Sequence, residues 1–287
     1  METHETYKSK VLELVSKTKS FCPMLWNHIT ISPNTAIKHF CCIASGGDDE
    51  PSFEKYWNGE RINQARVDML HSKRPKECNV CWTREDAGIK SHRTNNISMF
   101  NSDYDKLKSD HWKKLYENIV STLADKKMPH QPQYYDVKFG NLCNLKCRMC
   151  NPESSSQINK EAISNTHLYE SNLYPHKSID DSLFLWFKNK DNSFWQDFNS
   201  FSKDVYKFKF TGGEPLLIDE VIHFLQKLIK EDKAKNIMLH LITNATKIDE
   251  KLLVGTLLKF KTLKNQVNLI CAANVICHIP NLKNLIK

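Results

Sequence analysis

Three cysteines lie within eight residues in the stretch Phe139-Gly140-Asn141-Leu142-Cys143-Asn144-Leu145-Lys146-Cys147-Arg148-Met149-Cys150, at C-x3-C-x2-C spacing. A tetrahedral zinc site uses four ligands, and an iron–sulfur cube is ordinarily held by four thiolates. A loop that offers three thiolates can bind three irons and leave the fourth without a protein ligand. The spacing therefore indicates a cube with one open iron. Three free cysteines, or two zinc ligands with a spare thiol, are the alternatives.

The residues around this stretch predict its structural setting. Tyr134 to Phe139 is rich in aromatic and β-branched residues, which predicts a short strand that ends just before the cysteines. Asn151-Pro152 closes the loop, because proline disfavours helix in the residue before it. A second predicted strand, Tyr206 to Phe210, runs into Gly212-Gly213-Glu214-Pro215. Two glycines allow a backbone to approach a ligand closely, and a carboxylate beside them suits an ammonium group.

These two motifs, one βα unit apart, resemble those of the radical S-adenosylmethionine (radical SAM) superfamily. The resemblance implies that Cys143, Cys147 and Cys150 hold a 4Fe–4S cluster, and that S-adenosylmethionine (SAM) binds its open iron. It also implies SAM contacts from the Gly-Gly-Glu segment, from an apolar residue against the adenine, and from polar residues after a third strand. In this sequence these residues are Met149, Gly212, Gly213, Glu214, Thr243 and Asn244. No further catalytic residue can be identified from the sequence.

A second set of cysteines lies nearer the N-terminus. Alternation from His28 to Ser32, a turn at Pro33-Asn34 and a returning strand from Ala36 to Phe40 predict a hairpin. This hairpin would bring Cys41 back toward Cys22.

A later C-x2-C pair, Cys78 and Cys81, completes a candidate four-thiolate site with Cys22 and Cys41. Zinc and a 4Fe–4S cluster both accept four thiolates, so the residues alone leave the metal open. Either Cys41 or Cys42 can supply the fourth thiolate; we favour Cys41, and Cys42 is then expected to be a bystander, as a small buried hydrophobe.

This N-terminal pattern resembles the SPASM/twitch modules that hold a second, auxiliary 4Fe–4S cluster in many radical SAM proteins. The resemblance covers about residues 21–95, and it implies an auxiliary cluster on the four thiolates. It extends to residues after the C-x2-C pair, namely Trp82, Glu85, Gly88, Ser91 and Arg93. The chain departs from the module in two ways: Thr35 stands where the turn usually carries glycine, and the module precedes the core.

The predicted fold class is α/β, because short strands alternate with helices from Tyr134 onward. We expect an α+β cysteine-rich module at 1–95, a helical connector at 96–133 and a radical SAM core at 134–287. The connector has apolar residues at helical spacing, namely Trp112, Leu115, Ile119 and Leu123. The further core elements predicted are helices at Glu153–Ser164, Asp219–Lys230 and Ile248–Phe260 and strands at Ile237–Thr243 and Gln266–Ala272. Four strands are fewer than the six or so of the family, so we expect an incomplete barrel from a truncated or frame-shifted gene.

Composition excludes several classes of protein. An apolar content of 40% and a charged content of 26% are those of a globular chain. There is no run of eighteen apolar residues for a membrane helix, and the N-terminus lacks the apolar segment of a signal peptide. Ten cysteines without an export signal predict a cytoplasmic protein that uses thiols for metal. The charge of +8 comes from scattered lysines, so nucleic-acid binding is not indicated.

The resemblance implies an enzyme that reductively cleaves SAM to a 5′-deoxyadenosyl radical, which abstracts hydrogen from a substrate. By analogy the substrate is a peptide or protein, the electron donor is a flavodoxin or ferredoxin, and the source is a phage acting in its host's cytoplasm. The short barrel raises one alternative, a cluster-binding remnant without turnover. A zinc-stabilised nucleic-acid-binding protein is the other.

Overall fold

The computed structural model describes residues 4–107, 110–169, 180–188, 194–260 and 268–271. Within these residues the chain is α/β, with twelve α-helices and six strands. The helices are α1 His4–Lys17, α2 Met24–Asn27, α3 Phe53–Trp57, α4 Glu60–Leu70, α5 Asn79–Asp86, α6 His92–Leu107, α7 His111–Ala124, α8 Ser156–Ser164, α9 Thr166–Tyr169, α10 Phe194–Phe201, α11 Asp219–Lys230 and α12 Glu250–Gly255. The strands are β1 His28–Ile31, β2 Lys38–His39, β3 Tyr134–Lys138, β4 Lys207–Thr211, β5 Met238–Thr243 and β6 Asn268–Cys271. None of the described helices is long and apolar enough to cross a membrane.

The chain forms two compact units. The first comprises Met1–Thr30, Lys38–Tyr135 and Gln196–Val205, and the second comprises Ile31–Ile37, Asp136–Trp195 and Tyr206–Lys287. The stretch 96–133, which we expected to be a separate connector, lies in the first unit with most of 1–95, whereas Ile31–Ile37 belongs to the second unit. The predicted tail beyond residue 271 lies outside the described residues.

The second unit contains a sheet with the strand order β3-β4-β5-β6. β4 and β5 are parallel, with Lys207 opposite Met238, and β5 and β6 are parallel, with His240 opposite Asn268. The predicted parallel α/β arrangement is therefore confirmed for these strands. Helix α11 begins and ends where we predicted, since acidic residues stabilise its first turn, lysines stabilise its last turn and one face is apolar.

Two helices of the second unit are shorter than predicted. Helix α8 begins at Ser156 and not at Glu153, because the side chain of Ser155 accepts a hydrogen bond from the Ile158 N–H and caps the helix there. Helix α12 ends at Gly255, and a short 3-10 turn replaces the predicted continuation to Phe260. Glycine is a poor helix residue, and it ends the regular structure here.

Helix α7 belongs to the first unit because polar groups on its buried face bond to the segment around Trp26. The Trp26 Nε1–H donates to Thr122 Oγ1 at 2.7 Å, and Asn118 Nδ2 donates to the Trp26 carbonyl at 3.2 Å. Thr122 occupies the inward position, so its neighbour Leu123 turns outward and is 64% exposed. The prediction that Leu123 lies on the buried face was wrong.

The predicted return strand from Ala36 to Phe40 was also too long, since β2 covers only Lys38–His39. Thr35 and Ala36 adopt the left-handed conformation, with φ of 57° and 56°. Positive φ at two successive residues is typical of a tight turn that reverses the chain, and it excludes both residues from a strand. The turn at Thr35 thus needs the conformation that glycine adopts most easily.

Replacing Thr35 with glycine should therefore stabilise the protein. A left-handed conformation costs a β-branched residue about 1 to 2 kcal/mol, which exceeds the extra unfolded-state entropy of glycine. We expect the free energy of unfolding of Thr35→Gly to rise by about 1 kcal/mol in denaturant titrations. The same substitution at Thr256, where φ is −127°, should destabilise instead. A loss of stability in Thr35→Gly would contradict this account of the turn.

A second prediction concerns acid stability. Burial lowers the pKa of His111, the first residue of α7, from 6.5 to about 4. Between these values the unfolded chain binds more protons than the folded chain, so stability is present above pH 6.5 and is lost as the pH falls to 4. We expect His111→Asn to reduce the slope of unfolding free energy against pH in this window. Equal slopes in the two proteins would show that His111 is not the group responsible.

Candidate metal and cofactor site

The cysteine loop, residues 141–151, is fixed at its base. Asn141 Nδ2 donates to the Pro152 carbonyl at 2.9 Å, and the Ser156 N–H donates to the Asn141 carbonyl at 2.7 Å. The Ser155 hydroxyl, which also caps α8, donates to the Leu145 carbonyl at 2.9 Å. These bonds hold both ends of the loop against the start of α8. The three thiols are therefore presented by a loop with a rigid base.

The thiols of Cys143, Cys147 and Cys150 are all half-buried. Backbone N–H groups point at two of the sulfurs, from Leu145 to Cys143 and from Asn151 to Cys150. Burial nevertheless raises the pKa of both thiols; the negative charges of Glu214 and the neighbouring thiolates raise the pKa of Cys143 further, and that of Cys147 does the same for Cys150. A bound cation would relieve this repulsion, so the loop suits a positively charged metal group.

The groups of possible metal ligands differ in how close together their ligand atoms lie. Among the described residues, the one group of Cys, His, Asp or Glu with ligand atoms within 4.8 Å of one another is Cys41, Cys42 and His92. The cysteine-loop thiols are not that close together. In this structure the three loop thiols are therefore not gathered around the position of a single ion.

Gly212 and Gly213 lie directly against the cysteine loop. A Cβ atom on Gly213 would lie 2.2 Å from the Leu142 carbonyl oxygen and 2.6 Å from the Asn141 carbonyl carbon. The Glu214 N–H donates to the same Leu142 carbonyl at 2.7 Å. We expected these glycines to allow close approach to a ligand. In the structure they allow close approach to the cysteine loop itself.

Glu214 joins the ends of β4 and β5. Its carboxylate is 1% exposed, and it accepts hydrogen bonds from the Leu216 N–H at 3.0 Å, the Thr243 hydroxyl at 2.6 Å and the Asn244 N–H at 2.5 Å. A carboxylate has about four acceptor positions. Donors among the described residues use three of these positions.

A ring of side-chain hydrogen bonds connects the cysteine loop to the end of β5. Asn244 Nδ2 donates to Asn144 Oδ1 at 2.9 Å, Asn144 Nδ2 donates to Thr246 Oγ1 at 2.9 Å, and Thr246 Oγ1 donates to Asn244 Oδ1 at 2.8 Å. Asn244 Nδ2 also lies 3.8 Å from the Cys143 sulfur. Asn144 and Thr246 were missed in the sequence, because no spacing rule relates residues so far apart.

Hydrogen bonds thus connect the cysteine loop, the Gly-Gly-Glu segment and the end of β5. No family model, curated protein or solved structure matches this chain. Met149 differs from its neighbours at this site, because its side chain is 79% exposed. It is therefore accessible to a planar apolar ligand at the mouth of the loop.

In the first unit, the four cysteines predicted to act together line one small cavity, namely Cys22, Cys41, Cys78 and Cys81. Cys22, Cys41 and Cys81 are buried and Cys78 is half-buried. Burial raises the pKa of the Cys22 thiol to about 12, and the charge of Arg93 opposes this effect. Four converging thiols beside a guanidinium are a donor set that zinc and a 4Fe–4S cluster both accept.

Arg93 is held in place by residues that the twitch resemblance singled out. Its guanidinium pairs with Glu85, with Nη2 2.6 Å from Oε2, and Nη1 donates to the Phe21 carbonyl at 2.8 Å. The guanidinium also lies 5.2 Å from the ring centroid of Trp82. Ser91 donates to the same Glu85 carboxylate at 2.5 Å. These contacts position one positive charge beside the four thiols.

Cys42 is not the buried apolar bystander that we expected. It is half-buried, and its sulfur lies 3.2 Å from His92 Nε2. Hydrogen bonds from the Cys41 thiol and from His92 lower the pKa of Cys42. His92 was missed in the sequence, although a histidine that soon follows a C-x2-C pair is a metal-ligand signal. Cys41, Cys42 and His92 form a group that can bind a metal ion.

Proposed function

We propose that this chain is a radical SAM protein, with its SAM-binding 4Fe–4S cluster on Cys143, Cys147 and Cys150. The observation that supports the proposal best is the packing of the three-thiol loop against Gly213 and Glu214. A cube ligated by three thiolates needs a fourth ligand from elsewhere, and Glu214 places a carboxylate beside the loop as an acceptor for the amino group of such a ligand. Loop and carboxylate meet where two parallel strands end, as is usual for ligand sites of α/β folds.

Several residues have defined tasks in this proposal. The Leu145 and Asn151 amides stabilise the thiolates of the loop, and Glu214 accepts a hydrogen bond from the amino group of SAM. Met149 provides an apolar surface for the adenine. When bound, the cluster supplies the electron that cleaves SAM to methionine and a 5′-deoxyadenosyl radical, which abstracts hydrogen from the substrate. The protein's part is to bind, orient and exclude competing reactions.

The four-thiol cavity of the first unit is proposed to hold an auxiliary 4Fe–4S cluster on Cys22, Cys41, Cys78 and Cys81. The Arg93 charge beside it favours a cluster that carries net negative charge with its thiolates. By analogy with proteins that have such modules, this cluster relays electrons or binds the substrate, a peptide or protein. A flavodoxin- or ferredoxin-like protein is the proposed donor.

The test is anaerobic purification, reconstitution with iron and sulfide, and reduction in the presence of SAM. We expect about eight irons per chain, four for each cube, together with 5′-deoxyadenosine as a product. Cys147→Ala should form no product, whereas Cys42→Ala, which removes a thiol outside both sets, should form as much as the unmodified chain. About four irons without product would indicate the non-catalytic remnant. Zinc in place of iron at both sites would overturn the proposal.

A further inference from the structure

We propose that Cys41, Cys42 and His92 form a separate coordination set for one soft divalent cation such as Zn²⁺, and that this ion competes with the auxiliary cluster for Cys41. The cation site stands on its own geometry. Only the competition rests on the proposed function of the four-thiol cavity. The first unit would be redox-active when the cluster occupies the four-thiol cavity and redox-inert when zinc occupies the other set, because zinc carries no redox chemistry.

The distances suit a single ion. The three ligand atoms lie within 4.8 Å of one another, and the Cys42 sulfur and His92 Nε2 are 3.2 Å apart. Zinc binds sulfur at about 2.3 Å and nitrogen at about 2.0 Å, so the ligands of a tetrahedral site lie about 3.5 Å from one another. Small side-chain rotations would therefore be enough to place one ion among the three atoms.

The donor types and their burial indicate which ion would bind. Two thiolates and one imidazole are a soft set that suits zinc better than calcium or magnesium. Cys41 is buried, while Cys42 and His92 are half-buried. The ion would therefore lie at the edge of the unit, with its fourth position open to water. Three protein ligands and one open position are typical of accessible zinc sites rather than closed structural ones.

Cys41 is the residue shared by the two sets. It lines the four-thiol cavity with Cys22, Cys78 and Cys81, and it also belongs to the group with Cys42 and His92. A thiolate that is the terminal ligand of a cluster iron is not available to a separate ion. Occupation of one set therefore removes a ligand from the other. A zinc ion that binds before the cluster is assembled would block its assembly.

The experiment uses the full chain, metal-free and without oxygen, with Cys143, Cys147 and Cys150 all replaced by serine to remove the cysteine loop from the measurement. Co²⁺ is the probe, because tetrahedral thiolate-bound cobalt absorbs visible light, and Zn²⁺ is then added to displace it. We expect one Co²⁺ per chain. Adding Cys42→Ser or His92→Ala should weaken binding about 100-fold or more, because each removes a ligand.

The matched control is Cys78→Ser, which removes a thiol of the cavity but no ligand of the Cys41, Cys42 and His92 set. Its Co²⁺ affinity should stay within about threefold of that of the chain without this substitution. If Cys78→Ser loses Co²⁺ and His92→Ala keeps it, the ion binds in the cavity and the proposal is wrong.

Competition between zinc and the auxiliary cluster is measured separately, in the chain with the cysteine loop intact. Zn²⁺ added before reconstitution should lower iron by about four per chain, and Cys42→Ser should prevent this. Unchanged iron would disprove competition, whereas failure of SAM cleavage would leave the cobalt result standing.

Discussion

Gly213→Ala should abolish iron binding by the cysteine loop and lower the free energy of unfolding by about 3 kcal/mol. The added methyl group would lie 2.2 Å from the Leu142 carbonyl oxygen and 2.6 Å from the Asn141 carbonyl carbon. Both contacts are with backbone, which cannot rotate away as a side chain can. Either β4 or the loop must shift, and a shifted loop misplaces Cys143. The measurements are denaturant unfolding and iron content after reconstitution.

Gly255→Ala is the matched control for this prediction. No heavy atom lies within 4 Å of the position that its Cβ would occupy. Gly255 is the last residue of α12, so alanine there should leave stability unchanged or raise it by up to about 1 kcal/mol. If both variants behave alike, or if Gly213→Ala binds iron normally, the close packing of Gly213 on the loop is not required.

Glu214→Gln should cost about 2 kcal/mol of stability and lower 5′-deoxyadenosine formation about 100-fold. Glutamine keeps the shape of glutamate but replaces one acceptor oxygen with an NH₂ donor. The Thr243 hydroxyl can reverse its hydrogen bond, but the N–H groups of Leu216 and Asn244 cannot. One buried donor then faces another, and the acceptor proposed for the amino group of SAM is lost.

Glu161→Gln tests whether the position of Glu214 is what matters. Glu161 also pairs with the cysteine loop, through Lys146 at 2.7 Å, but its side chain is 44% exposed. Exposed ion pairs contribute about 1 kcal/mol or less. We therefore expect little change in stability or product. A comparable loss in the two variants would contradict the proposed role of the buried carboxylate.

Structural elements that are determined by residues close together in the sequence were predicted well. The strands before the cysteine loop and before Gly212 are where their aromatic and β-branched residues indicate, and α11 has the predicted ends. The four cysteines that the sequence grouped in the N-terminal part of the chain line one cavity. These elements need only local periodicity, turn residues and the known spacing of thiol ligands.

The misses involve partners that are distant in the sequence. Leu123 turned outward because the polar residue Thr122 bonds to Trp26, and a hydrophobic pattern does not contain that information. Asn144 and Thr246 became part of the site through bonds between the loop and β5. The glycines of the Gly-Gly-Glu segment were predicted to contact a ligand, and the structure shows their close packing on the cysteine loop. Their spacing shows that something approaches closely, but it does not show whether that is a ligand or another part of the chain.

The central claim is that the cysteine loop holds a cube with an iron open to SAM, and electron paramagnetic resonance of the reduced protein tests it most directly. Replacing Cys22, Cys78 and Cys81 together with serine leaves one auxiliary thiol, so that the signal of the loop cluster can be observed alone. We predict that adding SAM changes the spectrum of this variant, and that further replacement of Cys147 by alanine removes the signal. An identical spectrum with and without SAM, or a signal that survives the loss of Cys147, would contradict the account.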